Sequence, residues 1–90
     1  MRVLLIDDHA LFRFGVSELL ERRGIQVDAR GDGEAGLARV LELTPDVVLL
    51  DLRMPQMTGL EVLKRLRAAD QTMPVAMLTT STDERDLIAA

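Results

Sequence analysis

The sequence predicts an α/β fold in which a parallel sheet is wound by helices on both faces, and three observations predict it. Short apolar runs alternate with stretches of helical periodicity along the chain. Two of the runs, VLLI and VVLL, are continuously apolar, as expected of strands buried on both sides. No repeat, low-complexity tract or linker breaks the order, and 90 residues are enough for one domain but too few for two.

Val3 to Ile6 reads as the first strand. A helix follows from Ala10 to Arg23, with Phe12, Val16, Leu19 and Leu20 on one face at i, i+4, i+7 and i+8, and Gly24 as its stop. Ile25 to Ala29 is a more polar strand suited to a sheet edge. Gly33 to Leu43 predicts a helix with Leu37, Val40 and Leu41 inward, and Thr44-Pro45-Asp46 a turn. Val47 to Leu50 is the third strand, and Leu60 to Ala69 a third helix with Leu60, Leu63 and Leu66 inward. Pro74 opens a strand from Val75 to Leu78. Ser81 to Glu84 has the S-x-x-E spacing of a capping box, so a fourth helix is expected to begin there, with Leu87 and Ile88 inward.

The composition narrows the function classes. Hydrophobic residues at 48% and charged residues at 29% argue against disorder, and the absence of cysteine removes disulfides and thiolate metal sites. A net charge of −4 lacks the basic excess that nonspecific nucleic-acid binding requires, so any contact with DNA is expected from a domain outside this chain. No apolar run approaches the ~20 residues that span a bilayer. The opening MRVLLIDDHA meets two carboxylates too early for a signal peptide. A soluble cytoplasmic protein without membrane contact is expected.

The chemistry is expected where parallel strands end. Ligands in such sheets bind outside the carboxyl ends, at the reversal of strand order. The first strand runs into Asp7-Asp8 and the third into Asp51. If the two strands are neighbours, three carboxylates meet, and keeping them ionised at neutral pH calls for a divalent cation. With no cysteine and one histidine, hard oxygen ligands favour Mg²⁺ over Zn²⁺. A carboxylate beside that ion can attack a phosphoryl group. A separation of Asp51 from the other two beyond about 10 Å would end this reading.

VLLIDDH, VVLLDLRMPQMTGLEVL and PVAMLTTS, in that order, resemble the response regulator receiver family of two-component systems over essentially all 90 residues. IDDH before a Leu-Phe-Arg helix start resembles in particular the subfamily with a C-terminal LuxR-type helix-turn-helix output domain. The resemblance implies a flavodoxin-like doubly wound sheet of strand order 2-1-3-4, with a fifth strand and fifth helix missing, so that residues 1–90 form a C-terminally incomplete receiver domain. It implies that Asp51 is the phosphoacceptor, that Asp8 and Asp51 bind Mg²⁺ directly, that Asp7 holds it through water, and that the Arg53 backbone carbonyl is a further ligand. Thr79 matches the hydroxyl that bonds the phosphoryl group, and Pro55 and Gly59 match the loop at the rim. The implied donor is a phosphohistidine on a sensor histidine kinase, and the implied role is a signalling switch feeding a transcriptional output domain, not a turnover enzyme. A degenerate receiver, binding partners without phosphate, is the alternative. An aspartyl phosphatase would need a general acid where Arg53 stands.

Other residues have blander readings. Asp8 could cap the first helix, Ser81 reads as a cap, and His9 reads as a surface loop residue beside the acids. Met54 and Met57 flank the rim as partner contacts or as gap fillers. Gly31 to Gly36 spells G-x-G-x-x-G after a strand, the spacing of a dinucleotide site. Asp32 and Glu34 would put carboxylates where a pyrophosphate lies, so the glycines read as turn and helix-start residues. The one lysine, Lys64, falls inside the third helix and cannot serve as the phosphate-pairing lysine that the family carries on its fifth strand. Without that strand, Val75 to Leu78 is expected to form an apolar edge, and self-association through it or through the fourth-helix face is expected.

Overall fold

The computed structural model describes residues 1–78, which form strands β1 (Arg2–Ile6), β2 (Gln26–Arg30), β3 (Val47–Asp51) and β4 (Val75–Leu78) with helices α1 (Ala10–Glu21), α2 (Gly33–Leu43) and α3 (Gly59–Ala68) between them. All pairings are parallel and the order is β2-β1-β3-β4, as expected. The expected fourth helix, with Ser81, Leu87 and Ile88, and the expected site residue Thr79 lie outside the described residues.

Strand order and handedness fix the layers. The chain moves one way from β1 to β2 and the other way from β2 to β3 and on to β4, so right-handed crossovers place α1 on one face and α2 and α3 on the other. Residues two apart share a face, and Leu4, Ile6, Val48 and Leu50 join Val40 of α2 with Val62 and Leu66 of α3 in one buried core. Val3 and Leu5 are buried on the α1 side. The continuous apolar run of β1 thus has both of its faces covered.

Three helix faces differ from expectation. In α3, Val62 and Leu66 are buried while Leu60 points outward. Gly59 causes this: a Cβ there would lie 2.5 Å from the Asp51 carbonyl oxygen, so the helix start presses on the strand end and sets the helix rotation. The helix begins at Gly59 because the Thr58 hydroxyl accepts the Glu61 N–H at 3.2 Å. In α2, Val40 is buried but Leu41 is exposed, because the helix lies on the sheet through Gly33 and Gly36, the latter flush against Ile6. In α1 no residue is fully buried, and Phe12 and Leu19 are exposed while Val16 and Leu20 are half-buried. This helix ends at Glu21, and the turn after it closes through Gly24 at φ +81°.

Candidate functional site

The reversal of strand order falls between β1 and β3, which leave the sheet centre side by side with Ile6 opposite Leu50. One residue further, each strand delivers an acid. Asp7 and Asp51 have no solvent-exposed surface, and Asp8 is partly buried beside them. Asp7, Asp8, His9 and Asp51 each offer one ligand atom, and these four atoms all lie within 4.8 Å of one another. The expected gathering of the three carboxylates is therefore present, far inside the separation that would have broken it.

Local hydrogen bonds aim the acids. The Arg53 N–H donates to Asp51 Oδ1 at 3.0 Å, and the His9 N–H donates to Asp7 Oδ1 at 2.8 Å. The Asp7 N–H is tied to the Arg30 carbonyl at 3.1 Å, which anchors the acid to the neighbouring strand β2. Each of the two buried acids is thereby left with an oxygen that lacks a partner, Asp7 Oδ2 and Asp51 Oδ2. An orphaned buried carboxylate oxygen costs free energy unless a cation or proton meets it.

The Asp51 carboxyl responds in that way. Burial, chiefly, pushes its pKa up from 3.8 to about 6, the Arg53 N–H opposes the rise, and the nearby Asp7 and Asp8 add to it. Orphaned hard oxygens in a buried acid cluster suit a hard divalent cation, which would offset both the burial and the repulsion that raise this pKa. Arg53 is placed with its N–H toward Asp51.

The surroundings sort the remaining candidates. Asp8, Pro55 and Gln56 line a cleft of about 240 Å³ with Gly31, Asp32, Gly33 and Glu34. Met54 and Met57 contribute to its floor and are themselves buried in the core, as gap fillers. Asp8 does not cap α1: the cap position is His9, whose side chain makes no capping bond. The G-x-G-x-x-G segment is no phosphate cradle, because the Asp32 side chain accepts the Ala35 N–H at 2.7 Å and occupies the α2 start. Its glycines serve packing, with Gly33 against Met57 and Val62.

One positioning residue was not legible in the sequence. Arg13 of α1 donates from Nη1 to the Asp7 carbonyl at 2.6 Å and lies beside Gly31, joining α1, the end of β1 and the β2–α2 loop. Its position six residues after Asp7 returns the side chain over the helix start, a spacing visible only once the helix is placed.

A family model described as "Response regulator receiver domain" matches residues 3–90. The chain is 44% identical over 85 residues to a protein-glutamate methylesterase/protein-glutamine glutaminase of Archaeoglobus fulgidus, covering 93% of this chain and 24% of that protein. It is 41% identical over 87 residues to the DNA-binding response regulator MtrA of Mycobacterium tuberculosis, covering 97% of this chain and 38% of the relative. The chain therefore spans well under half of the length of either. The crystal structure of response regulator protein TrrA from Thermotoga maritima, in complex with Mg²⁺-BeF, superposes with a TM-score of 0.84 at 30% identity, covering 94% of this chain and 74% of that one. No helix among the described residues is long and apolar enough to cross a membrane.

Proposed function

The chain belongs to the response regulator receiver domain family, and from that premise we propose that it is a cytoplasmic phosphoacceptor switch in which Asp51 takes a phosphoryl group from a phosphohistidine of a sensor histidine kinase. One observation carries this reading: Asp51 Oδ2 is buried, unpartnered and beside two further acids. A carboxylate held that way is fixed in rotation by the Arg53 N–H and keeps one oxygen free to meet a phosphorus atom.

Asp7, Asp8 and Asp51, with the Arg53 carbonyl, are the groups that would hold Mg²⁺. When bound, the ion supplies charge neutralisation for the incoming phosphoryl oxygens. The chain's own residues do the rest. Asp51 attacks, the P–N bond to the donor imidazole breaks as the P–O bond forms, and the imidazole leaves with the electron pair. Burial excludes water from the pocket floor, and Arg13 holds the Asp7–Asp8 segment in place. Thr79, directly after β4, is the proposed hydroxyl partner of the phosphoryl group. The Mg²⁺-BeF complex of the TrrA relative supports the ion and the phosphoryl position by analogy.

In this proposal residues 1–90 act as a receiver unit whose output lies in another part of the protein. The MtrA relative, a DNA-binding response regulator, supports a transcriptional output. The methylesterase name of the archaeal relative belongs to a protein of which this chain covers 24%, and supports no esterase chemistry here.

Intact-mass spectrometry after incubation with acetyl phosphate and Mg²⁺ tests the reading. The wild-type chain should gain the mass of one phosphoryl group, and Asp51→Asn or chelation should abolish the gain. An adduct that persists in Asp51→Asn, or a wild-type chain that never gains one, overturns it in favour of a phosphate-independent interaction module.

A further inference from the structure

We propose that His9 gives the acidic pocket an imidazole ligand, which shifts its preference among divalent cations from Mg²⁺ toward Co²⁺ and, less strongly, Mn²⁺. The inference rests on the reading of Asp7, Asp8 and Asp51 as a cation site and adds a donor of a different chemical kind.

The geometry is specific to the ring. His9 Nδ1 lies 3.1 Å from Asp8 Oδ1 and 3.3 Å from Asp7 Oδ1, although 55% of the side chain is exposed. The imidazole thus leans over the pocket from its solvent edge. It has no competing task at the helix start, since the cap position is His9 and its side chain makes no capping bond. The backbone N–H of the same residue holds Asp7 Oδ1, so ring and carboxylate are locked to one another. Asp7 Oδ2 and Asp51 Oδ2, both buried and without hydrogen-bond partners, independently mark the pocket as one suited to a cation.

Size agrees as well. Ligand atoms around an ion at about 2.1–2.3 Å are at most about 4.5 Å apart. The four candidate atoms span 4.8 Å, so closure by a few tenths of an ångström completes the shell. Mg²⁺ takes oxygen and water and gains nothing from the imidazole, whereas Mn²⁺ and, more strongly, Co²⁺ accept it. The ring therefore discriminates between ions without altering the carboxylates.

Metal titrations of the full 90-residue chain, with pulsed electron paramagnetic resonance on the Mn²⁺ complex, test this directly. The wild type should show nitrogen modulation from one imidazole. His9→Gln should lose that signal and bind Co²⁺ about tenfold or more weakly, while its Mg²⁺ affinity stays within about twofold. A wild-type Mn²⁺ spectrum without nitrogen, or equal Co²⁺ affinity in the two proteins, overturns the proposal while leaving the oxygen site standing. Failure of the underlying cation site has another signature: Mn²⁺ binding that is absent in the wild type or unchanged in Asp51→Asn overturns both.

Discussion

Ile6 and Asp7 are consecutive residues with no solvent-exposed surface, and so are Leu50 and Asp51. The first member of each pair belongs to the core and the second to the acid pocket. Burial is the same in both regions, but its sign is opposite. It stabilises the aliphatic side chain by about 1.5–3 kcal/mol, whereas it penalises the ionised carboxylate. Exclusion of water that ends where the apolar residues end would give a more stable sheet with no buried acid. Here it continues one residue further, onto Asp7 and Asp51, which stability alone would not favour.

Truncating the core side of the comparison has the largest expected effect. Leu50→Ala should cost about 3 kcal/mol, a large share of the roughly 5–15 kcal/mol available to a domain. The chain has no tryptophan or tyrosine, so the urea midpoint is best followed by far-ultraviolet circular dichroism. A loss below about 1 kcal/mol would show that the α2–α3 face is loosely packed.

The acid side should respond with the opposite sign. In the metal-free chain Asp51 has its pKa pushed up to about 6 from 3.8, so the folded form binds this proton more tightly than the unfolded one. The resulting stability is fully present below about pH 4 and is lost as the pH rises through about 6. Asp51→Asn removes the ionised state and keeps an oxygen for the Arg53 N–H. At neutral pH it should raise stability by up to about 3 kcal/mol, and the gain should shrink toward zero in acid. A variant less stable than wild type at neutral pH would show that the carboxylate is not under strain. The smallest effect belongs to α1, where Leu19→Ser should stay within about 0.5 kcal/mol because Leu19 is 56% exposed.

Most of the architecture was legible because strands buried on both faces declare themselves as unbroken apolar runs. VLLI and VVLL gave β1 and β3 within a residue, and the acids that follow them marked the site. Helix rotation was harder to read. Leu41 and Leu60 are as apolar as Val40 and Val62, yet they face water, because Gly36 and Gly59 decide which side of each helix can approach the sheet. The informative signal was the missing side chain and not the leucine stripe. Within the site, the reach of Arg13 to the Asp7 carbonyl and the lean of His9 over two carboxylates depend on how α1 begins, which spacing alone does not specify.

The α1 flank carries a practical consequence. Leu11, Phe12, Phe14 and Leu19 are exposed in the folded chain, and Leu11, Phe12 and Leu19 share a shallow apolar groove with Gly15 and Val16. An environment-sensitive dye such as anilinonaphthalene sulfonate will find a landing place on the native state. Its fluorescence would then be mistaken for the signature of a molten globule unless near-native amide protection is measured alongside it.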